Sequence, residues 1–119
     1  MSAEPAAWTT IARRTVVEDH WIRLRADDCE DTSGRSIAPY YVLEYGDWIS
    51  VLALDGNDDA IVVEEYRHGA AIVAIGTIGG GVEPGESPED AAARELLEET
   101  GFESDDLIGL GATWANFGN

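Results

Sequence analysis

The stretch from Gly80 to Phe102, GGVEPGESPEDAAARELLEETGF, constrains this chain more than any other. Its front half cannot be regular. Gly79, Gly80, Gly81 and Gly85 accept backbone conformations that a Cβ would penalise, and Pro84-Gly85 is a turn dipeptide. Its rear half predicts a helix from about Pro88 to Thr100. Ser87 is a suitable N-cap, Pro88 suits the first helical position, and Asp90 lies where a capping box places an acid. Gly101 follows as a left-handed C-cap.

At 100° per residue the helix has two faces. Ala93, Leu96, Leu97 and Thr100 form an apolar side expected to pack on a sheet. Glu95, Glu98 and Glu99 lie opposite, and Arg94 is spaced to pair with Asp90 or Glu98. Two unit charges ~4 Å apart repel by roughly 4 kcal/mol at an effective dielectric of 20. Such a stripe either faces water or holds a divalent cation. Carboxylate oxygens suit Mg²⁺, or Mn²⁺ as the alternative, especially beside substrate phosphates.

The pattern Gly-x5-Glu-x7-Arg-Glu-Leu-x-Glu-Glu-x-Gly-Phe, here Gly80 to Phe102, resembles the complete signature of the Nudix hydrolase family. The resemblance implies an α/β (α+β) fold, a mixed β-sheet packed by the signature helix. It implies metal-dependent hydrolysis of a nucleoside diphosphate linked to another moiety. It also implies the roles. Glu95 and Glu99 would be the main metal ligands, with Glu98 in support. The Gly79 carbonyl would face the metal, and Glu86 would act through water or by holding the loop. Arg94 would orient the glutamates, and Glu95 is the best candidate for the catalytic base.

A second match, Glu64-Glu65-Tyr66-Arg67-His68-Gly69 ahead of the glycine loop, is similar to the ADP-ribose pyrophosphatase branch. It implies Arg67 as a substrate-binding residue, since a guanidinium can grip phosphate bidentately. That branch implies ADP-ribose as substrate, with AMP and ribose 5-phosphate as products. It also implies a homodimer joined through an N-terminal antiparallel sheet. His68 is read as a loop residue. Where the branch often has Glu-Leu-Pro-Ala-Gly-Gly, this chain has Gly76-Thr77-Ile78-Gly79-Gly80-Gly81, without the Glu or the Pro.

Composition sets further bounds. With 119 residues and 45% apolar content, a single domain is expected, residues 1–45 forming an N-terminal sheet and 46–119 the core. The chain carries 24 acidic residues against seven basic ones, all Arg, for a net charge of −17. Self-repulsion at that density is relieved by molar salt, which shortens the screening length to ~3 Å. This points to a halophile's cytoplasm. Nucleic acid is excluded as a partner, since nothing basic meets a phosphate backbone. No apolar run reaches the length of a membrane span. Cys29 stands alone in a polar stretch and receives no role.

Taken in order, strands are expected over Trp8–Val17, Trp21–Cys29 and Ala38–Tyr45, with turns at Asp19-His20 and around Ser33-Gly34. Trp48–Leu54 reads as one central strand buried on both faces, and Ala60–Tyr66 as its hairpin partner. Ala71–Ile78 is a further apolar segment, and Leu107–Trp114 reads as a strand. Only 17 residues follow Phe102, so the C-terminal part of the resembled fold is expected to be missing. Three readings stay open. The chain is a fragment of a longer pyrophosphatase, a short chain that completes its site with a partner, or a nucleotide- or subunit-binding module without turnover. A nucleoside triphosphate pyrophosphohydrolase is the alternative substrate assignment.

Overall fold

The computed structural model describes residues 5–116 and 118, which fall into two compact units. Unit 1 joins residues 1–45 with 112–119, and unit 2 is residues 46–111.

Unit 1 is an antiparallel meander of β1 (Thr9–Glu18), β2 (Arg23–Glu30) and β3 (Ser36–Glu44), with β2 in the middle. Aspartates build both turns by replacing backbone acceptors. Asp19 Oδ1 accepts from the N–H of Trp21 at 2.7 Å and of Ile22 at 2.9 Å. Asp31 Oδ1 accepts from Ser33 N–H at 2.9 Å and Arg35 N–H at 3.0 Å, while Gly34 takes a φ of 84°. The Ser33 hydroxyl first, and then the Arg35 N–H, hold the Asp31 carboxyl down at about 2. Strand β2 buries Ala26 and Cys29, three positions apart, across the register shift between Asp27 and Cys29 in its pairing with β3. Cys29 is therefore a small core residue and not part of a polar surface. Asp27 is also buried, at 4% exposure, because Arg13 Nε and Arg25 Nε each reach it at 3.2 Å. Arg25 pairs in turn with Glu44, which takes Arg23 at 3.2 Å. Trp8 packs edge-on against Tyr40 at a centroid distance of 5.7 Å.

Unit 2 contains the other strands and one helix: β4 (Trp48–Val51), β5 (Ala53–Leu54), β6 (Ala60–Ile61), β7 (Val63–Arg67), β8 (Ile72–Gly76), β9 (Ile78–Gly81) and α1 (Pro88–Thr100). A single 3₁₀ turn, His68–Ala70, links β7 to β8. Three antiparallel pairs form: β4 with β9, β5 with β6, and β7 with β8. Every strand pair among the described residues is antiparallel, so the parallel component of a mixed sheet is not seen there.

Helix α1 starts and stops as its sequence predicts. Ser87 Oγ accepts from Asp90 N–H at 3.1 Å, Pro88 opens the first turn, and Gly101 closes it at a φ of 75°. It packs on β9 and β4. The buried helix residues are Ala91 and Leu96, seated with Ile78 of β9. The expected face is thus rotated: Ala93 and Leu97 are exposed, and Ala91 takes the inner position.

Two expected strands differ. Trp48–Leu54 is not one buried strand. It breaks at Leu52, where the chain leaves its partner β9 and takes up β6, and Trp48, Leu52 and Leu54 are all exposed. Changing partner costs the ladder bond at the crossover, so β-propensity alone cannot continue the strand. Leu107–Trp114 forms no strand; Gly109 and Gly111 interrupt it, the latter at a φ of 116°. Among the described residues no helix is long and apolar enough to cross a membrane.

Ile78 is the largest side chain among the described residues with no exposed surface. Ile78→Ala is expected to destabilise unit 2 by about 2 to 5 kcal/mol and Ile78→Val by about 1 kcal/mol, read as denaturation midpoints. Equal midpoints for both variants and the parent would place the core elsewhere.

Candidate active site

The glycines of β9 bring the helix close to the strand. The register sets Trp48 against Gly81, Ile49 against Gly80, Ser50 against Gly79 and Val51 against Ile78. A methyl group at Gly80 would overlap the Glu95 carboxylate. One at Gly79 would lie 2.8 Å from Ile49 O and 3.0 Å from Trp48 Nε1. Gly79 is therefore required by its close approach to the Ile49 carbonyl, whereas a side chain at Gly80 would push the Glu95 carboxylate aside; neither glycine has a positive φ. Gly85 differs: it sits in the loop at a φ of 81°, where a side chain would be strained.

That loop is folded back by Glu86. Its Oε2 accepts from Glu83 N–H at 2.9 Å, and its own N–H donates to Glu83 O at 3.0 Å. The same carboxylate takes the Arg94 fork, with Nε on Oε1 at 2.8 Å and Nη2 on Oε2 at 2.9 Å. Arg94 Nη2 also donates to Gly81 O at 2.9 Å. Its Nη1 donates to Glu95 Oε1 at 2.7 Å and more loosely to Glu98 Oε2 at 3.4 Å. One guanidinium thus joins the end of β9, the loop and two points on α1.

The electrostatics follow from these bonds. Arg94 first, and then the Glu83 N–H, hold the Glu86 carboxyl at about 2, well below the usual glutamate range. The Glu86 and Glu95 carboxylates push the Arg94 pKa up in return. The side chains of Glu86 and Glu95 are 14% and 13% exposed, against 57% for Glu98. Bidentate, half-buried pairs of this kind are the strong ones.

Of the residues singled out in the sequence, Arg94, Glu86, Glu95 and Glu98 are joined here. Gly79 lies beside them on β9. Glu99 is exposed on the next helical position. Arg67 ends β7, and its ion pair goes to Glu65. Of the two helical partners open to Arg94, Glu98 is engaged, while Asp90 is tied to the Ser87 cap through its N–H; the stronger partner, Glu86, lies in the loop. Three partners were not read from the sequence. The Gly81 carbonyl carries no sequence signal. Trp48 over Gly79 needs the β4–β9 register. Tyr66 packs edge-on to His68 at a centroid distance of 5.8 Å, its hydroxyl 3.3 Å from Nδ1. A groove of about 400 Å³ runs along the Ala93, Arg94 and Leu97 side of α1, lined also by Glu103, Ser104 and Asp105.

Among the described residues no three His, Cys, Asp or Glu side chains converge closely enough to hold a metal ion. The guanidinium takes Glu86, Glu95 and Glu98 instead. The donor chemistry still fits a hard divalent cation. Glu95, Glu98 and Glu99 offer only oxygen, at i, i+3 and i+4 of one helix, and a glycine edge stands beside them.

Arg94→Lys keeps the charge and loses the fork. A carboxyl with a depressed folded pKa contributes stability above its unfolded pKa, and that stability is lost as pH falls through the folded one. In the parent, the loop-to-helix clasp should therefore loosen between about pH 4 and pH 2. In Arg94→Lys the Glu86 midpoint should move from about 2 up toward the ordinary 4.3, by carbon-detected NMR titration. An unmoved midpoint would show that the fork does not set it.

With this geometry in place, known proteins give its context. Residues 8–43 match the model of the nucleoside diphosphate sugar hydrolase N-terminal domain. The methanol dehydrogenase activator of Bacillus methanolicus is 28% identical over 98 residues, 82% of this chain and 52% of that protein. The ADP-ribose pyrophosphatase of Bacillus subtilis (strain 168) is 28% identical over 109 residues, 92% of this chain and 58% of that protein. The ADP compounds hydrolase NudE of Escherichia coli (strain K12) is 43% identical over 54 residues, 45% of this chain and 29% of that protein. The crystal structure of an ADP compounds hydrolase superposes with a TM-score of 0.75 at 28% identity, covering 88% of this chain and 57% of the other. The chain thus spans a little over half the length of the first two relatives. The NUDIX domain model matches residues 45–118, more than half of the chain and the whole of the strand–loop–helix clasp, and the chain belongs to the Nudix family.

Proposed function

We propose that this chain carries the catalytic clasp of a metal-dependent hydrolase that splits a nucleoside diphosphate linked to another group, with ADP-ribose as substrate and AMP and ribose 5-phosphate as products. The observation that carries the reading is Arg94 bound at once to Glu86, Glu95, Glu98 and the Gly81 carbonyl. It fixes an acidic helix stripe against the glycine-lined strand β9. The substrate assignment draws its support from similarity to an ADP-ribose pyrophosphatase and to ADP compounds hydrolases.

Glu95, Glu98 and Glu99 would hold Mg²⁺ or Mn²⁺, with the Gly79 carbonyl and Glu86 in support. A bound divalent cation neutralises the diphosphate and acidifies the attacking water. The chain's own residues do the rest. Arg94 engages Oε1 of Glu95 and leaves Oε2 to accept a proton as water attacks phosphorus. Arg94 also keeps the Glu86 loop closed on α1, which holds the glutamates in place. Arg67, exposed at the end of β7, can exchange its Glu65 partner for a substrate phosphate. A homodimer through unit 1 is part of the same proposal. Its support is that β1 is an edge strand with every residue exposed, including Ile11, Val16 and Val17.

Hydrolysis of ADP-ribose with Mg²⁺ in high KCl tests the reading, with Glu99→Gln alongside. The variant should lose about 100-fold or more in kcat, as when a charge-stabilising group leaves a site. Its Mg²⁺ affinity by calorimetry should fall while its circular dichroism is unchanged. Undiminished turnover and Mg²⁺ binding in Glu99→Gln would remove that residue from the metal site. A folded parent that turns over no nucleotide would overturn the proposal for this chain.

A further inference from the structure

The charge of this chain is divided very unequally between its two units. Residues 1–45 and 112–119 hold eight acidic residues and five arginines, a net charge of −3. Residues 46–111 hold sixteen acidic residues and two arginines, a net charge of −14. The electrostatic self-energy of a compact body rises with the square of its net charge. By that measure unit 2 carries about 20 times the load of unit 1.

The ion pairs widen the difference. In unit 1 all five arginines are used: Arg14 on Asp28, Arg35 on Asp31, and the other three in one ladder. The ladder crosses all three strands, from Glu18 to Arg23, Glu44, Arg25, Asp27 and Arg13. It alternates in sign and has no net charge. Asp27, between Arg25 and Arg13, is shielded from water, so salt screens it weakly. In unit 2, Arg67 serves Glu65, and Arg94 serves Glu86, Glu95 and Glu98. The other twelve of its sixteen acidic residues have no arginine partner. Buried apolar residues are few in both units, Ala26 and Cys29 in unit 1 and Ile78, Ala91 and Leu96 in unit 2, so the difference between them lies in charge.

We infer that ionic strength acts as a folding switch on unit 2 alone: the strand–loop–helix clasp closes as salt rises, while the meander of unit 1 is folded with or without it. The screening length falls from ~30 Å at 0.01 M to ~3 Å at 1 M, so repulsion between separated carboxylates is largely removed. Unit 1 has little net charge to screen. This inference concerns folding and does not depend on the proposed reaction.

Hydrogen–deuterium exchange by mass spectrometry on the full chain, in EDTA, separates the units. Between about 0.05 M and about 2 M KCl, exchange in peptides from β4, β9 and α1 should slow by about tenfold or more. Peptides from β1, β2 and β3 should change by less than about threefold. A gain shared equally, a larger gain in unit 1, or no gain in unit 2 would each overturn the inference. A second protein, Glu64→Gln/Glu103→Gln/Asp105→Asn/Asp106→Asn, lowers the charge of unit 2 to −10. Its gain should shrink to about threefold, because the load falls roughly by half with the square of the charge. A gain that is unchanged in this variant would mean that KCl acts through general exclusion and not through charge, which also overturns the inference.

Discussion

The clasp made by Arg94 is the interaction on which unit 2 depends. Three separate pieces of chain meet there: the end of β9, the loop after it and α1. The loop has no regular hydrogen bonding of its own, and its fold-back rests on the Glu83–Glu86 turn and the Arg94 fork. Remove the guanidinium and two shielded carboxylates, Glu86 and Glu95, are left without a cation, with exposed Glu98 nearby. A buried charge that loses its partner is costly, whereas the intact pair is close to neutral in net energy. The arginine is therefore a condition for the geometry more than a source of stability.

The glycines of β9 are the steric counterpart of that electrostatic condition. A clasp works only if helix and strand approach closely, and Gly80 lets the Glu95 carboxylate lie against the strand. Trp48, across the ladder, closes the other side over Gly79. This explains why a run of three glycines belongs to a strand here, although glycine weakens strands in general. The missing side chains make room for another element's functional groups.

Local signals carried much of this in the sequence. The bounds of α1, its Ser87 and Gly101 caps and the hairpin turns of unit 1 depend on residues within a few positions, and each is legible. The signature placed Arg94 near its glutamates. Other features depend on partners far along the chain. The break at Leu52 comes from a change of strand partner, which no window of WISVLAL contains. The inner face of α1 turned toward Ala91 because the close approach at Gly80 sets the helix rotation, and periodicity alone gives a face only to within a residue or so. Cys29 stands in a polar stretch of the sequence yet is buried, and Asp27 is buried beside charged neighbours. Those neighbours, Arg13 and Arg25, are what make the burial tolerable.

The absence of lysine now has a structural reason as well as a compositional one. Seven cations face 24 carboxylates, and three of the seven serve more than one. Arg23 and Arg25 each reach two acidic residues, and Arg94 reaches three and a carbonyl. A guanidinium has five N–H donors in a planar fork, and can hold several acceptors in fixed directions. An ammonium is a single point charge on a flexible stem, and it cannot keep a bidentate hold on Glu86 while reaching Glu95. In a chain this acidic, the scarcity of cations and the demand for fixed direction both select arginine. The two fall together at Arg94, where one side chain sets both the charge balance and the shape of the site.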